Sequence, residues 1–253
     1  MPVLNIALTV LILLTVVTLS GCASTHDPKK WAASEFYSQA KEAFDNQDYQ
    51  SAIKYYEDLE IYHPFSPYTQ QAQLDVAYAY YKYDEPDSAI AAADRYIKLY
   101  PRADNADYAY YLRGLVSFDR GTSGLDLWLG LDSNKRQPNN AKNAYRYFEE
   151  LIKRYPDSQY ANDAKQRMLH LRNQLARYEL HVAKYYLRRG AHLSAANRAK
   201  FMLENYPQTP AIPEALVIMI KAYRNLGVQD LANDALKVFK LNFPDHEALN
   251  ELS

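Results

Sequence analysis

Apolar positions along this chain fall into blocks that close the same way, on an aromatic residue at or next to a proline: Tyr62-His63-Pro64, Tyr100-Pro101, Tyr155-Pro156, Tyr206-Pro207 and Phe243-Pro244. About twelve residues before each proline stands an alanine, with a second small or apolar residue four positions later: Ala52 and Tyr56, Ala89 and Ala93, Ala144 and Phe148, Ala195 and Ala199, Ala232 and Leu236. A spacing of four puts both residues on one helix face. Proline ends the helix because it lacks an N–H and clashes with the preceding turn. The pattern predicts five helices, each closed by proline and each carrying a small residue that lets a partner helix approach, as in the second helix of a tetratricopeptide unit. Alternation of period two bounded by Gly or Asn turns is missing, so strands are not expected.

The prolines are spaced by 37, 55, 51 and 37 residues, against about 34 for a standard tetratricopeptide repeat. Residues 119–138, DRGTSGLDLWLGLDSNKRQP, hold three of the seven glycines and predict a loop inserted in the third pair. Its LDLWLGL stretch is apolar for a loop, which makes Trp128 a candidate for partner docking. Nothing from Asp157 to Arg189 is Gly or Pro, so the fourth pair should contain a helix lengthened by about four turns. The expected fold is all-α, a tetratricopeptide-like (TPR) solenoid of about five helix pairs. One pair cannot bury its own apolar face; stacking creates a continuous core and a curved groove.

The N-terminus is of a different kind. From Val3 to Leu19 there is no charge, and the run ends in Leu19-Ser20-Gly21-Cys22, the pattern of a lipoprotein signal peptide. Cys22 would become the first residue, carrying diacylglyceryl and N-acyl groups, and no other cofactor is expected. An uncleaved membrane helix is the alternative, since 17 apolar residues sit at the lower limit for a span. Met1 to Val10 lacks the Lys or Arg usual in such leaders. Ala23 follows the cysteine where Asp would favour retention in the inner membrane. The chain then divides into a signal peptide (1–21), a lipidated tether (22–30), N-terminal repeats (31–118), the inserted loop (119–138) and C-terminal repeats (139–253).

Composition narrows the function. Net charge is −1, which gives no support to nucleic-acid binding. A single cysteine excludes an internal disulfide. Charge is nevertheless uneven, with ten Lys or Arg against sixteen Asp or Glu from Cys22 to Gly121, and nineteen against fourteen from Thr122 to Ser253. The six histidines accompany no HExxH motif or carboxylate-rich loop, and no GxSxG, P-loop or GxGxxG occurs, so neither a metal site nor an enzyme is expected. Fifteen of 24 tyrosines lie between Tyr37 and Tyr111. Neighbours such as Tyr80 and Tyr81 point about 100° apart on a helix, so they cannot both face the core. Exposed Tyr suits peptide recognition. The His63–Tyr68 segment, with two prolines, presents Phe65 and Tyr68 either to a bound peptide or as a hydrophobic staple. Basic residues from Lys165 to Lys200, among them Arg188, Arg189 and Arg198, fit docking of a negatively charged protein surface.

Assembled, these features resemble the BamD family, the lipoprotein subunits of the β-barrel assembly (BAM) machine of the outer membrane. The residues that carry the resemblance are LSGC at 19–22, HPFSPYTQQAQLDVAYAYYK at 63–82, the loop before Pro138, YPDSQYANDAKQR at 155–167 and LARYELHVAKYYLRRGAH at 175–192. The resemblance implies a lipid-anchored scaffold facing the periplasm. Its N-terminal repeats would receive unfolded barrel clients, here through Tyr62, Phe65, Tyr68, Tyr80 and Tyr81. Its C-terminal repeats would hold a BamA-type barrel protein, here through Arg188, Arg189 and Arg198, and a BamC-like lipoprotein would lie along the body. A pilotin-type repeat lipoprotein escorting a secretin is the alternative.

Overall fold

A computed structural model describes residues 30–120 and 138–252. The signal peptide, Cys22, most of the tether, most of the inserted loop and Trp128 lie outside these residues. The described chain runs through α1 (Ala33–Asp45), α2 (Tyr49–Tyr62), α3 (Thr69–Lys82), α4 (Pro86–Leu99), α5 (Ala106–Asp119), α6 (Asn139–Arg154), α7 (Ala161–Arg188), α8 (His192–Asn205), α9 (Ile212–Asn225), α10 (Gln229–Asn242) and the short α11 (Leu249–Leu252). The first ten helices form the five expected pairs, and α11 follows the last.

Each pair ends identically. His63, Tyr100, Tyr155, Tyr206 and Phe243 all precede a proline, and all hold φ between −136° and −128° with ψ between 47° and 67°. The proline ring excludes the helical region for the residue before it, so the helix must stop there. Each of these residues still donates its N–H to the carbonyl four back, at 2.8–2.9 Å. Turns within pairs use a different device. Gln47, Asp84, Gly190 and Gly227 have φ between 61° and 74°. The next N–H then reaches the carbonyl five residues back, as Asp48 does to Ala43 at 2.9 Å, in a Schellman closure.

The core is a register that repeats. Positions 52, 56 and 59, and their counterparts 89, 93, 96, then 144, 148, 151, then 195, 199, 202, then 232 and 239, are all at most 2% exposed. Leu236 is the partly buried exception. The fourth residue of each first helix answers them. It is Phe36 in α1, Ala72, Ala109, Ala164 and Ala215 in the middle four, and Leu252 in α11, each no more than 1% exposed. Small residues serve where the described stack has neighbours on both sides, and large ones at its two ends.

Large and small residues also trade places across pairs. In the second pair Ala77 and Ala93 meet in one cluster. In the third, Gly114 holds the place of Ala77 and Phe148 that of Ala93. A Cβ on Gly114 would sit 2.4 Å from Phe148 Cε1. Beside them Arg113, almost fully buried, donates to Asp94 of α4 at 2.6 Å and to Glu150 of α6 at 2.9 Å, which binds three helices across two pairs. Its guanidinium also lies over the rings of Tyr110 and Tyr147, 4.8 and 4.6 Å away.

Helix α7 has 28 residues, twice the 14 of α8 or α9. Its Leu171 joins the core of the third pair, while Ala176, Leu180 and Ala183 join that of α8 and α9. One continuous helix therefore spans two core clusters. His192 starts α8 beyond the Gly190 turn, so the eleven-residue recurrence of His170, His181 and His192 is broken between two helices.

Gly114→Ala should lower stability by about 1–3 kcal/mol through overpacking, and Phe148→Leu in the same chain should recover part of the loss. Urea denaturation of the two variants checks this. Equal loss in both would mean that Phe148 is not the obstacle.

Candidate protein-binding surfaces

Neighbouring first helices touch directly, α1 with α3, α3 with α5 and α7 with α9, whereas second helices of neighbouring pairs stay further apart. The stack therefore curves toward the first-helix side, which becomes its inner face. In the front half this face is a run of rings. Phe44 of α1 meets Tyr78 of α3 at 5.5 Å, Tyr78 meets Tyr108 of α5 at 6.4 Å, Tyr108 meets Tyr160 at 5.4 Å, and Tyr160 stacks on Tyr111 at 4.7 Å.

Hydroxyl groups link the same helices. Tyr37 of α1 donates to Asp75 of α3 at 2.8 Å, Tyr81 of α3 donates to Asp119 of α5, and Tyr111 of α5 donates to Asp163 of α7 at 2.7 Å. Ser158 donates to Asp107 at 2.6 Å. Burial, and then the bond to Asp163, push the Tyr111 hydroxyl up to about 12; burial and then Asp75 raise Tyr37, and burial and then Asp119 raise Tyr81. These groups stay protonated donors at any physiological pH. Burial pushes Asp163 upward, but Arg167 at 2.5 Å and Tyr111 outweigh it and hold the carboxyl below its ordinary value. In the front half Asp75 and Asp119 are likewise capped by tyrosine, and Asp87 and Asp94 by arginine.

The five aromatic candidates separate into two groups. Tyr62, Phe65 and Tyr68 share the end of α2 and its following turn. Tyr62 stacks on Phe36 at 5.7 Å and Tyr68 leans on Tyr37 at 5.5 Å. Phe65 is 99% exposed, which rules out the staple. Tyr80 and Tyr81 lie twelve and thirteen residues further along α3 from Tyr68, roughly 18–20 Å at 1.5 Å per residue. Both are half-buried and bonded, Tyr80 to Glu57 at 2.5 Å and Tyr81 to Asp119.

The arginines also divide. Arg188 and Arg189 are exposed at the end of α7, where Arg189 donates to the Tyr185 hydroxyl at 3.3 Å. Arg198 instead donates to Glu179 at 2.8 Å, a carboxylate that is only 4% exposed. Glu179 lies nine residues back from Arg188, roughly 14 Å along α7. Acidic partners are more frequent around α7 than its sequence suggests, because they come from its first turn and from a neighbouring helix: Asp163 takes Arg167, and Glu214 of α9 takes Lys184 at 2.6 Å. Among the described residues no group of three or more His, Cys, Asp or Glu could hold a metal ion, and no helix is long and apolar enough to cross a membrane.

Residues 29–238 match the family model described as YfiO, outer membrane lipoprotein. The chain belongs to this family. Outer membrane protein assembly factor BamD of Neisseria meningitidis serogroup B is 42% identical over 250 residues, spanning 95% of this chain and 94% of that protein. BamD of Xylella fastidiosa is 39% identical over 95% and 83% of the two chains, and BamD of Vibrio cholerae 36% over 91% and 96%. Among solved structures, PilW, described as a widely conserved type IV pilus biogenesis factor, matches with TM-score 0.36 and 14% identity over 89% of this chain and 84% of that one.

The family model ends inside α10, and just there the structure shows a surface that sequence reasoning missed. Leu203, Pro207, Pro210, Ile212, Val238 and Phe243 line an apolar cleft of about 570 Å³ beside the turn from α8 to α9. In this turn Gln208 has φ of 60°, and the Thr209 hydroxyl takes the place that backbone N–H groups fill in the other turns between pairs. Pro207, Pro210 and Pro213 were the available signal.

Arg198→Ala should cost roughly 2–4 kcal/mol, because Glu179 would be left buried without its partner, and Glu179→Gln in the same chain should restore much of it. Thermal and urea unfolding of the single and double variants give the coupling. Additive losses would show that the pair is not the unit.

Proposed function

We propose that the chain is a non-enzymatic assembly factor for β-barrel proteins of the outer membrane, a subunit of a BAM complex, held by lipid on Cys22 and facing the periplasm. The observation that carries this reading is the match to BamD over nearly the full length of both chains, at 42% identity. The fold suits it. A stack of helix pairs offers long surfaces at fixed separation without needing converging catalytic groups.

The two halves take different partners. Unfolded barrel clients bind the inner face of the first three pairs, where ring edges and capped carboxylates provide contact area at low entropic cost. Of the four tyrosine candidates, Tyr62 and Tyr68 are the more available, with Tyr80 and Tyr81 setting the surface from beneath. A BamA-type protein docks at the far half through Arg188 and Arg189, with Arg198 contributing the part of its guanidinium that Glu179 leaves free. A BamC-like lipoprotein lies along the body.

Purification from outer membranes in mild detergent, through a tag at Ser253, should recover a large barrel protein in stoichiometric amount. A secretin in its place would overturn the reading in favour of a pilotin. Arg188→Glu with Arg189→Glu should weaken retention of the barrel protein about tenfold and leave crosslinking to an unfolded client unchanged. Loss of both together would contradict the division of labour.

A further inference from the structure

Five turns join or follow the pairs, each after a residue capped in the same way, and they present the same position to solvent: Phe65, Arg102, Asp157, Gln208 and Asp245, each the second residue after the capping one, and each exposed. Four are polar or charged. The fifth is a phenylalanine 99% exposed, with Ile61 on the last turn of α2 at 69% and Tyr62 at 40%. An aromatic ring held so far out gains nothing from its own fold.

Its place in the chain says what should cover it. His63, at the base of this turn, shares a 2.8 Å hydrogen bond with the backbone carbonyl of Trp31. The entry of the chain is thereby fixed to the turn that carries Phe65. From Cys22 to Lys30 the tether has eight residue steps, reaching roughly 28 Å at most when fully extended. The turn is also rigid: Pro64 and Pro67 flank it, and Thr69 donates its hydroxyl to the His63 carbonyl at 2.6 Å. Nearby carboxylates are occupied, Glu57 by Tyr80, Asp58 by Lys54 and Glu60 by Arg95 and Gln73.

We infer that Phe65 and Ile61 form a second membrane contact, dipping into the headgroup boundary beside the lipid anchor and fixing how the solenoid stands on the bilayer. Aromatic side chains with polar neighbours favour that zone. Because the carboxylates beside the turn are internally paired, insertion rests on apolar burial and needs no anionic lipid. The inference rests on the lipid-anchored reading and assigns Phe65 to lipid in preference to client.

Phe65→Cys and, as the matched control, Asp157→Cys are labelled with an environment-sensitive fluorophore. Cys22 is the sole native cysteine, and acylation would occupy its thiol. Mass spectrometry of the N-terminal peptide reads lipidation by itself. A parallel set, residues 23–253 with an N-terminal His-tag on nickel-chelating lipid and no Cys22, tests the contact even if acylation is missing. In phosphatidylethanolamine vesicles carrying brominated lipid, the label at 65 should be blue-shifted and quenched severalfold more than at 157, equally with and without phosphatidylglycerol. Equal quenching at the two positions would overturn the inference, as would a label at 65 that responds only to an unfolded barrel client.

Discussion

The structure depends on how closely two helices can approach, and a small residue at one fixed place in each pair sets that distance. Ala52, Ala89, Ala144, Ala195 and Ala232 are all buried, and the rest of each contact is arranged around them. Where the residue four later is also small, as Ala93 is, the opposing helix carries Ala77; where it is Phe148, the opposing helix falls back to Gly114. Packing at interior density leaves little other freedom. The curvature of the stack, and hence the inner face, follows from these separations together with the proline turns that reset each pair.

Those two devices were legible in the sequence because each is written within one pair: alanine at a fixed distance before proline, and a residue forced out of the helical region by the ring after it. The long helix was legible for a similar reason, as 33 residues without Gly or Pro from Asp157 to Arg189. What stayed hidden depends on residues far apart in the chain. Gly114 needs Phe148 to explain it. Tyr81 looked free to face a groove until Asp119 proved to be its acceptor. Arg198 looked like a docking cation, and its partner Glu179 stands 19 positions away on another helix. Left-handed Gln47 and Asp84 escaped notice because the two turns they form carry no glycine.

The same long-range contacts change the meaning of composition. The front half is rich in tyrosine and acid, yet hydroxyl-to-carboxylate bonds between successive first helices turn Tyr37, Tyr81 and Tyr111 and their acceptors toward one another. They cross-link the stack along its inner face, and bonds to charged acceptors are the stronger kind. The back half keeps exposed cations at Arg188 and Arg189 and an apolar cleft near Phe243. The proposed client and barrel-protein surfaces therefore differ in chemistry as well as in position, and a rigid stack holds them apart.

Hydrogen exchange on the full chain in detergent tests that separation most directly, comparing the protein alone, with an unfolded barrel-protein segment and with the periplasmic domains of a BamA-type protein. The account predicts added protection within α1 to α5 for the first ligand and within α7 to α10 for the second, with α6 little changed. Protection of one and the same stretch by both ligands would contradict it.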